Sequence, residues 1–248
     1  MGRVDGRVAI VTGGAQGLGK AISMRLAEEG AFVNIFDISN ADTTVEEIKN
    51  MGKDAKAYIV NILNDNEIDK AVNEVIKTHG RVDILVNNAG VVSAHDNLLS
   101  VTDDIWDREI GINLTGTFYC CRAVLGKMIE QQSGKIVNIS SIAGDTGRPK
   151  TSPAYSAAKA GVYGLTMSMA RSVAKDGINV NAVCPGVVLT GIHDSYPKEA
   201  LEKLLSEIPY KRGGTPLDIA NAVLFLSSQE SDYITGTRLR VNGGSWMG

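Results

Sequence analysis

Tyr155 and Lys159 stand four residues apart in Tyr-Ser-Ala-Ala-Lys, and Ser141 lies one short loop upstream. Those groups can pass a proton to or from an alcohol oxygen while a hydride moves on the same carbon. On a helix, residues i and i+4 share a face, so the lysine ammonium can sit against the phenol. A free phenol titrates near pH 10, and each unit of lowering takes about 1.36 kcal/mol. Neutral-pH proton transfer therefore needs roughly 4 kcal/mol of favourable charge, which nearby cations can supply. A four-residue spacing recurs by chance, so its weight comes from the elements that would position it.

Those elements begin at the amino end. Val8–Thr12 is an apolar, β-branched run suited to a strand buried on both faces. Thr12-Gly13-Gly14-Ala15-Gln16-Gly17-Leu18-Gly19 follows directly, then a helical pattern through Glu29 that Gly30 stops. Glycines at a strand-to-helix turn let the backbone approach a pyrophosphate, and the helix start offers free N–H groups and partial positive charge.

With this turn and the Tyr155/Lys159 pair, the chain resembles the short-chain dehydrogenase/reductase family in its single-domain form. The resemblance runs over essentially the whole chain. It includes Asn87-Asn88-Ala89-Gly90 after a strand, Asn113 in Ile-Asn-Leu-Thr, Ser141 in Ile-Val-Asn-Ile-Ser-Ser, and Pro185-Gly186 after another strand. Tyr233-Ile234-Thr235-Gly236 and Val241-Asn242-Gly243-Gly244 come near the end. The resemblance implies a catalytic set of Asn113, Ser141, Tyr155 and Lys159, with Ser141 and Tyr155 also touching substrate and Ser140 structural. Asn113 would distort its helix and hold a water linking the lysine to solvent. The implied cofactor contacts are Gly13, Gln16, Gly17, Leu18, Gly19, Asp37, Asn61, Ile62, Asn88, Ala89, Gly90, Tyr155, Lys159, Pro185, Gly186, Val188 and Thr190.

Asp37 decides the cofactor. About twenty residues past the glycine turn, a carboxylate binds ribose hydroxyls and repels a 2′-phosphate by a few kcal/mol. NAD is therefore expected. At Asn61 the family usually has Asp, so adenine binding is expected to be weaker; an amide oxygen can still accept the bond.

Strand-like runs at Val8–Thr12, Ala31–Asp37, Lys56–Asn61, Asp83–Asn87, Lys135–Ser140, Asn179–Cys184 and Gly236–Val241 alternate with helical stretches. Each gap is long enough for a right-handed crossover. The pattern predicts an α/β fold: a Rossmann-type doubly wound parallel sheet of about seven strands with helices on both faces. Residues 1–248 read as one dinucleotide-binding domain, with Val187–Arg212 as a lid over the site. Thr102 and Thr215 mark helix starts.

The 248 residues are 44% hydrophobic with a net charge of −3, which argues against nucleic-acid or anionic-membrane partners. Three cysteines without a C-x-x-C read as reduced thiols, and the chain as cytoplasmic. Three histidines lack ligand spacing, so no metal is expected. His95 and His193 stand where either could face substrate, Arg148 and Lys150 border the loop after Ser141, and His79 reads as solvated. Pro153–Ala174 is apolar or small on nearly every face, which predicts a homotetramer pairing it with Trp106–Met128 of another copy. The expected reaction is NAD-dependent interconversion of a small or medium secondary alcohol and its ketone. Two alternatives stand beside it: 3-oxoacyl-[acyl-carrier-protein] reductase, and a non-catalytic NAD-binding or sensing protein. Glu130-Gln131-Gln132 and Asp176 leave the carrier-docking surface poor in positive charge, which favours a free substrate.

Overall fold

The structure, a computed structural model, describes residues 2–94, 97–147, 151–190 and 198–248. Its sheet is built from β1 (Val8–Thr12), β2 (Phe32–Asp37), β3 (Ala55–Ile59), β4 (Ile84–Asn87), β5 (Gly134–Ile139), β6 (Ile178–Pro185) and β7 (Arg238–Val241). The seven strands lie in the order β3-β2-β1-β4-β5-β6-β7, and every pairing is parallel. All seven strands expected from the sequence are present, with no end moved by more than two residues.

Side chains alternate between the two faces of the sheet. Ala9, Val11, Val33, Ile35, Ile84, Val86, Val137 and Val183 join one core with α1 (Gly17–Glu28), α2 (Asp42–Asn50) and α9 (Pro216–Ser227). Val8, Ile10, Phe36, Leu85, Ile136 and Val180 join the other with α3 (Asp65–His79), α5 (Gly116–Gln131) and α7 (Pro153–Val173). Burial on both faces explains why the strands read as continuous apolar runs. The chain order reverses between β1 and β4, and that switch point opens a crevice at the carboxyl ends of the strands.

Three further α-helices complete the described set, α4 (Asp103–Ile110), α6 (Ala143–Thr146) and α8 (Lys198–Ser206), of which α4 and α6 pack on α7. The helix expected over Trp106–Met128 is interrupted by a π segment, Gly111–Thr115, between α4 and α5. The Thr102 side chain accepts from Ile105 N–H, and Thr215 forms a reciprocal capping box with Asp218, as the helix-start signals predict. Gly30 ends α1 with a φ of 93°, a conformation that favours glycine. Residues 191–197 of the expected lid lie outside the described residues. No helix among the described residues is long and apolar enough to cross a membrane.

Candidate active site

The glycine turn forms a cradle at the switch point. Gly13 has a φ of 67°, and a Cβ there would meet Ala89 Cα at 2.9 Å. A Cβ on Gly19 would meet Gly13 O at 2.0 Å, so α1 can start this close only without a side chain. The extended N-cap Gln16 makes no side-chain cap bond, and the first turn of α1 has no acid. The positive end of α1 is thus left for an anion from outside the chain. These residues fit the pyrophosphate of a dinucleotide.

The next loop braces this turn. Asn88 Nδ2 donates to Thr12 O and Gly13 O, both at 3.0 Å. Thr12 Oγ1 accepts from Asn88 N–H at 3.1 Å and Ala89 N–H at 3.0 Å. Asp37 ends β2 beside the cradle, where Oδ2 accepts from Ala15 N–H and Oδ1 from Ser39 N–H, each at 2.9 Å. The carboxylate therefore caps the following turn and is also fixed against the glycine loop. Each oxygen keeps a second lone pair for a ribose hydroxyl.

Farther out, Asn61 is exposed, with Oδ1 accepting from Leu63 N–H at 3.0 Å, while Ile62 is buried against Gly116. On the other side, Pro185 ends β6 and Gly186 N–H donates to Val241 O at 3.1 Å. Val188 pairs with Gly214 in an isolated bridge, and Thr190 is half-buried just beyond.

The four residues of the expected catalytic set converge from different elements. Ser141 follows β5, and its Oγ accepts from Ala143 N–H at 3.1 Å as α6 begins. A Cβ on Gly144 would lie 2.7 Å from Ala160 N, so α6 packs directly on α7 and fixes Ser141 relative to Tyr155. Ser140 is turned inward and donates to Lys159 O at 2.7 Å. Lys159 is buried; its Nζ donates to Ile139 O at 2.9 Å and lies 5.7 Å from the centre of the Tyr155 ring. Burial pulls the ammonium down to about 8, partly opposed by the neighbouring Cys184.

Asn113, fully buried, sits in the π segment. Its Nδ2 donates to Val91 O at 2.8 Å and Glu109 O at 2.9 Å, and its Oδ1 accepts from Val91 N–H at 3.2 Å. A Cβ on Gly90 would fall 2.7 Å from Asn113 Oδ1 and 3.4 Å from Lys159 Nζ. Gly90 is thus the gap through which the asparagine and lysine approach each other. The π bulge is the distortion expected at Asn113, and such bulges are frequent at functional sites.

One buried acid escaped the sequence reading. Glu109 has no exposed surface and accepts from Ser93 N–H at 2.6 Å. The signal was available: four residues before Asn113 on one helix, it shares that residue's inward face. His95, His193, Arg148 and Lys150 lie outside the described residues. His79 is half-buried with its ring 5.6 Å from that of Phe32, where the sequence suggested a solvated residue. A cavity of about 840 Å³ opens at the opposite end of the sheet, but its cations Arg3, Arg7 and Lys135 are ion-paired, and none of the candidate residues line it.

Residues 13–245 match the family model described as "Enoyl-(Acyl carrier protein) reductase". The chain is similar to the 3-oxoacyl-[acyl-carrier-protein] reductase of Thermotoga maritima, 40% identical over 98% of both chains. It is also similar to the enzyme of that name from Staphylococcus aureus, at 42% over 96% of this chain and 98% of the relative. A third relative, the (2S)-[(R)-hydroxy(phenyl)methyl]succinyl-CoA dehydrogenase subunit BbsD of Thauera aromatica, is 42% identical over 97% of each. Among solved structures, that of gox2181 superposes with a TM-score of 0.94 at 36% identity, covering 98% of this chain and 96% of that one.

Proposed function

The chain belongs to the short-chain dehydrogenase/reductase family, and from that premise we propose that it interconverts a ketone and a secondary alcohol with NAD(H), the reacting carbon lying β to an acyl thioester. The observation that carries the reaction class is the convergence of Ser141, Tyr155, Lys159 and Asn113 at the carboxyl ends of β4 and β5, with the Lys159 ammonium buried 5.7 Å from the Tyr155 ring. In reduction, the Tyr155 phenol donates its proton to the ketone oxygen; in oxidation, the phenolate takes it back. The Ser141 hydroxyl donates to the same oxygen and stabilises the charge that develops there. Lys159 lowers the phenol's proton affinity through its charge. Asn113 holds the segment beside the lysine and carries the water that connects it with solvent. The dinucleotide, when bound along Gly13–Gly19, Asp37, Asn61–Ile62, Asn88–Gly90 and Pro185–Thr190, supplies or accepts the hydride.

Asp37 supports NAD over NADP. At 4 Å and an effective dielectric of 20, a carboxylate and a 2′-phosphate repel by about 4 kcal/mol. The names of the relatives bear on the substrate. Those carried by the Thermotoga and Staphylococcus proteins specify a 3-oxoacyl group, and that of the Thauera protein a hydroxylated acyl-CoA. A free alcohol, the main expectation from sequence, has less support than this thioester reading. Coenzyme A is preferred as carrier because Glu130, Gln131, Gln132 and Asp176 leave the surface that would meet an acidic carrier protein poor in positive charge. The same reading treats residues 1–248 as one domain and residues 187–212 as its lid, anchored by Leu189 N–H to Gly214 O at 2.8 Å.

A second reading, reduction of 3-oxoacyl carrier protein with NADPH, is favoured by the names of the first two relatives. The deciding experiment measures kcat/KM with NADH and NADPH against acetoacetyl-CoA, acetoacetyl carrier protein and a panel of free ketones. The highest value should be for NADH with acetoacetyl-CoA. A higher value for NADPH with the carrier protein would overturn the first reading in favour of the second.

A further inference from the structure

Glu109 is a fully buried carboxylate that no step of the proposed reaction uses. Its Oε1 accepts from Ser93 N–H at 2.6 Å, and its Oε2 has no donor among the described residues. An acid placed this way is unfavourable for folding, since a buried acceptor has given up water without recovering its bond. Its neighbours show what the placement secures. The segment beginning at Val91 is held on alternate residues: Val91 by both polar atoms of Asn113, and Ser93 by Glu109 through its N–H. Ser93 O in turn accepts from Ser152 N–H at 3.2 Å, and Ala94 bridges antiparallel to Thr151. Ser152 is the N-cap of α7; its Oγ accepts from Ala154 N–H at 3.1 Å and its carbonyl from Tyr155 N–H at 3.2 Å. A continuous path of hydrogen bonds therefore runs from the Glu109 carboxylate through Ser93 and Ser152 to the backbone of Tyr155. Through its own carbonyl, Glu109 also holds the Asn113 amide.

We propose that Glu109 is a positioning residue for the reaction: its carboxylate sets the height of the 91–94 segment, and through Ser152 the first turn of α7, so that Tyr155 meets the substrate oxygen in line. Proton transfer is sensitive to such placement, since a shift of about 1 Å remote from the chemistry can lower a rate about 100-fold. This inference uses the proposed oxidoreductase activity as its kinetic readout.

The test compares Glu109→Leu, which fills the space without an acceptor, with Glu109→Gln, whose amide oxygen can still accept from Ser93 N–H. Cofactor affinity, thermal unfolding, steady-state kinetics and amide exchange are measured on each. For Glu109→Leu, kcat should fall by about 10-fold or more, with the cofactor dissociation constant within about twofold of the parent. Its Tm should stay within about 4 °C. Amides in 91–94 and 152–155 should exchange faster than in the parent. Glu109→Gln should restore kcat to within about threefold and restore the exchange protection. Unchanged exchange in both segments would overturn the proposal, as would a glutamine variant no better than leucine. A kcat loss that tracks a loss of cofactor affinity and Tm would do the same, since it would mark a merely structural residue. If the parent turns over no substrate, the proposed function fails, and the exchange comparison still decides the role of Glu109.

Discussion

Lys159 brings an ammonium into the interior, where it has one carbonyl partner and is pulled down to about 8 by burial. The unfolded chain then binds the proton more tightly than the folded one between about pH 8 and pH 10.5, so this group opposes folding below that window and ceases to above it. Lys159→Met should therefore abolish turnover yet raise stability at pH 7 by about 1–3 kcal/mol, at about 1.36 kcal/mol per unit. The advantage should shrink as pH rises through the window. Denaturant unfolding at pH 7 and pH 10.5 checks this, and a variant less stable than the parent at pH 7 would contradict it. At the second strand, Asp37→Ala should narrow the preference for NAD, though incompletely, because the carboxylate also holds Ala15 N–H and Ser39 N–H. Comparable kcat/KM for both cofactors in the parent would show that Asp37 does not select. The glycine turn, Asp37 and the Tyr155/Lys159 spacing were legible from residue type and position, whereas Asn113, Ser141 and the remaining cofactor contacts came from the family resemblance. Glu109 was missed although it lies four residues before Asn113, because that spacing places it on the asparagine's face without showing that the face is buried until the helix is docked.

At the scale of elements, the turn from β1 into α1 and the π segment between α4 and α5 do the positioning. Gly19→Ala puts a methyl 2.0 Å from Gly13 O and 2.5 Å from Asn88 Nδ2. The turn must open, and cofactor affinity measured by calorimetry should fall by about 100-fold or more while the sheet persists. Asn113→Ala removes three hydrogen bonds in a buried site. It should destabilise the protein by about 2–4 kcal/mol in urea unfolding and lower kcat. An equally stable variant would mean that the π segment is held by something other than its asparagine. The seven strands and the helix starts could be read from apolar period and capping residues. The bulge at Gly111–Thr115 came only from the resemblance, since a π turn leaves no separate mark on helical periodicity.

For the whole molecule, the outer face of α7 presents Ala157, Ala160, Gly164 and Met167 to solvent, and Trp106 and Phe118 are also exposed along α4 and α5. Small and apolar residues at helical spacing on an outer layer need a cover, and the expectation is that a second copy of the same helices would supply it. Light scattering at micromolar concentration should give a tetramer; a monomer would contradict this. Fold class was legible because alternation of strand and helix admits few topologies. Substrate was not, because the stretches expected to wall the pocket, Ser93–His95, Ile142–Gly144, Thr151–Pro153 and Val187–Tyr196, mix apolar and small polar residues with no periodic constraint and no obvious clamp. The central claim is that Tyr155 moves the proton while an NAD-type cofactor handles the hydride. Its most direct test is NADH oxidation by acetoacetyl-CoA, followed side by side for the parent and Tyr155→Phe, with NADH affinity measured on both. The parent should turn over, and the variant should fall by about 100-fold or more while binding NADH within about threefold. Activity of the variant within about tenfold of the parent would contradict the account.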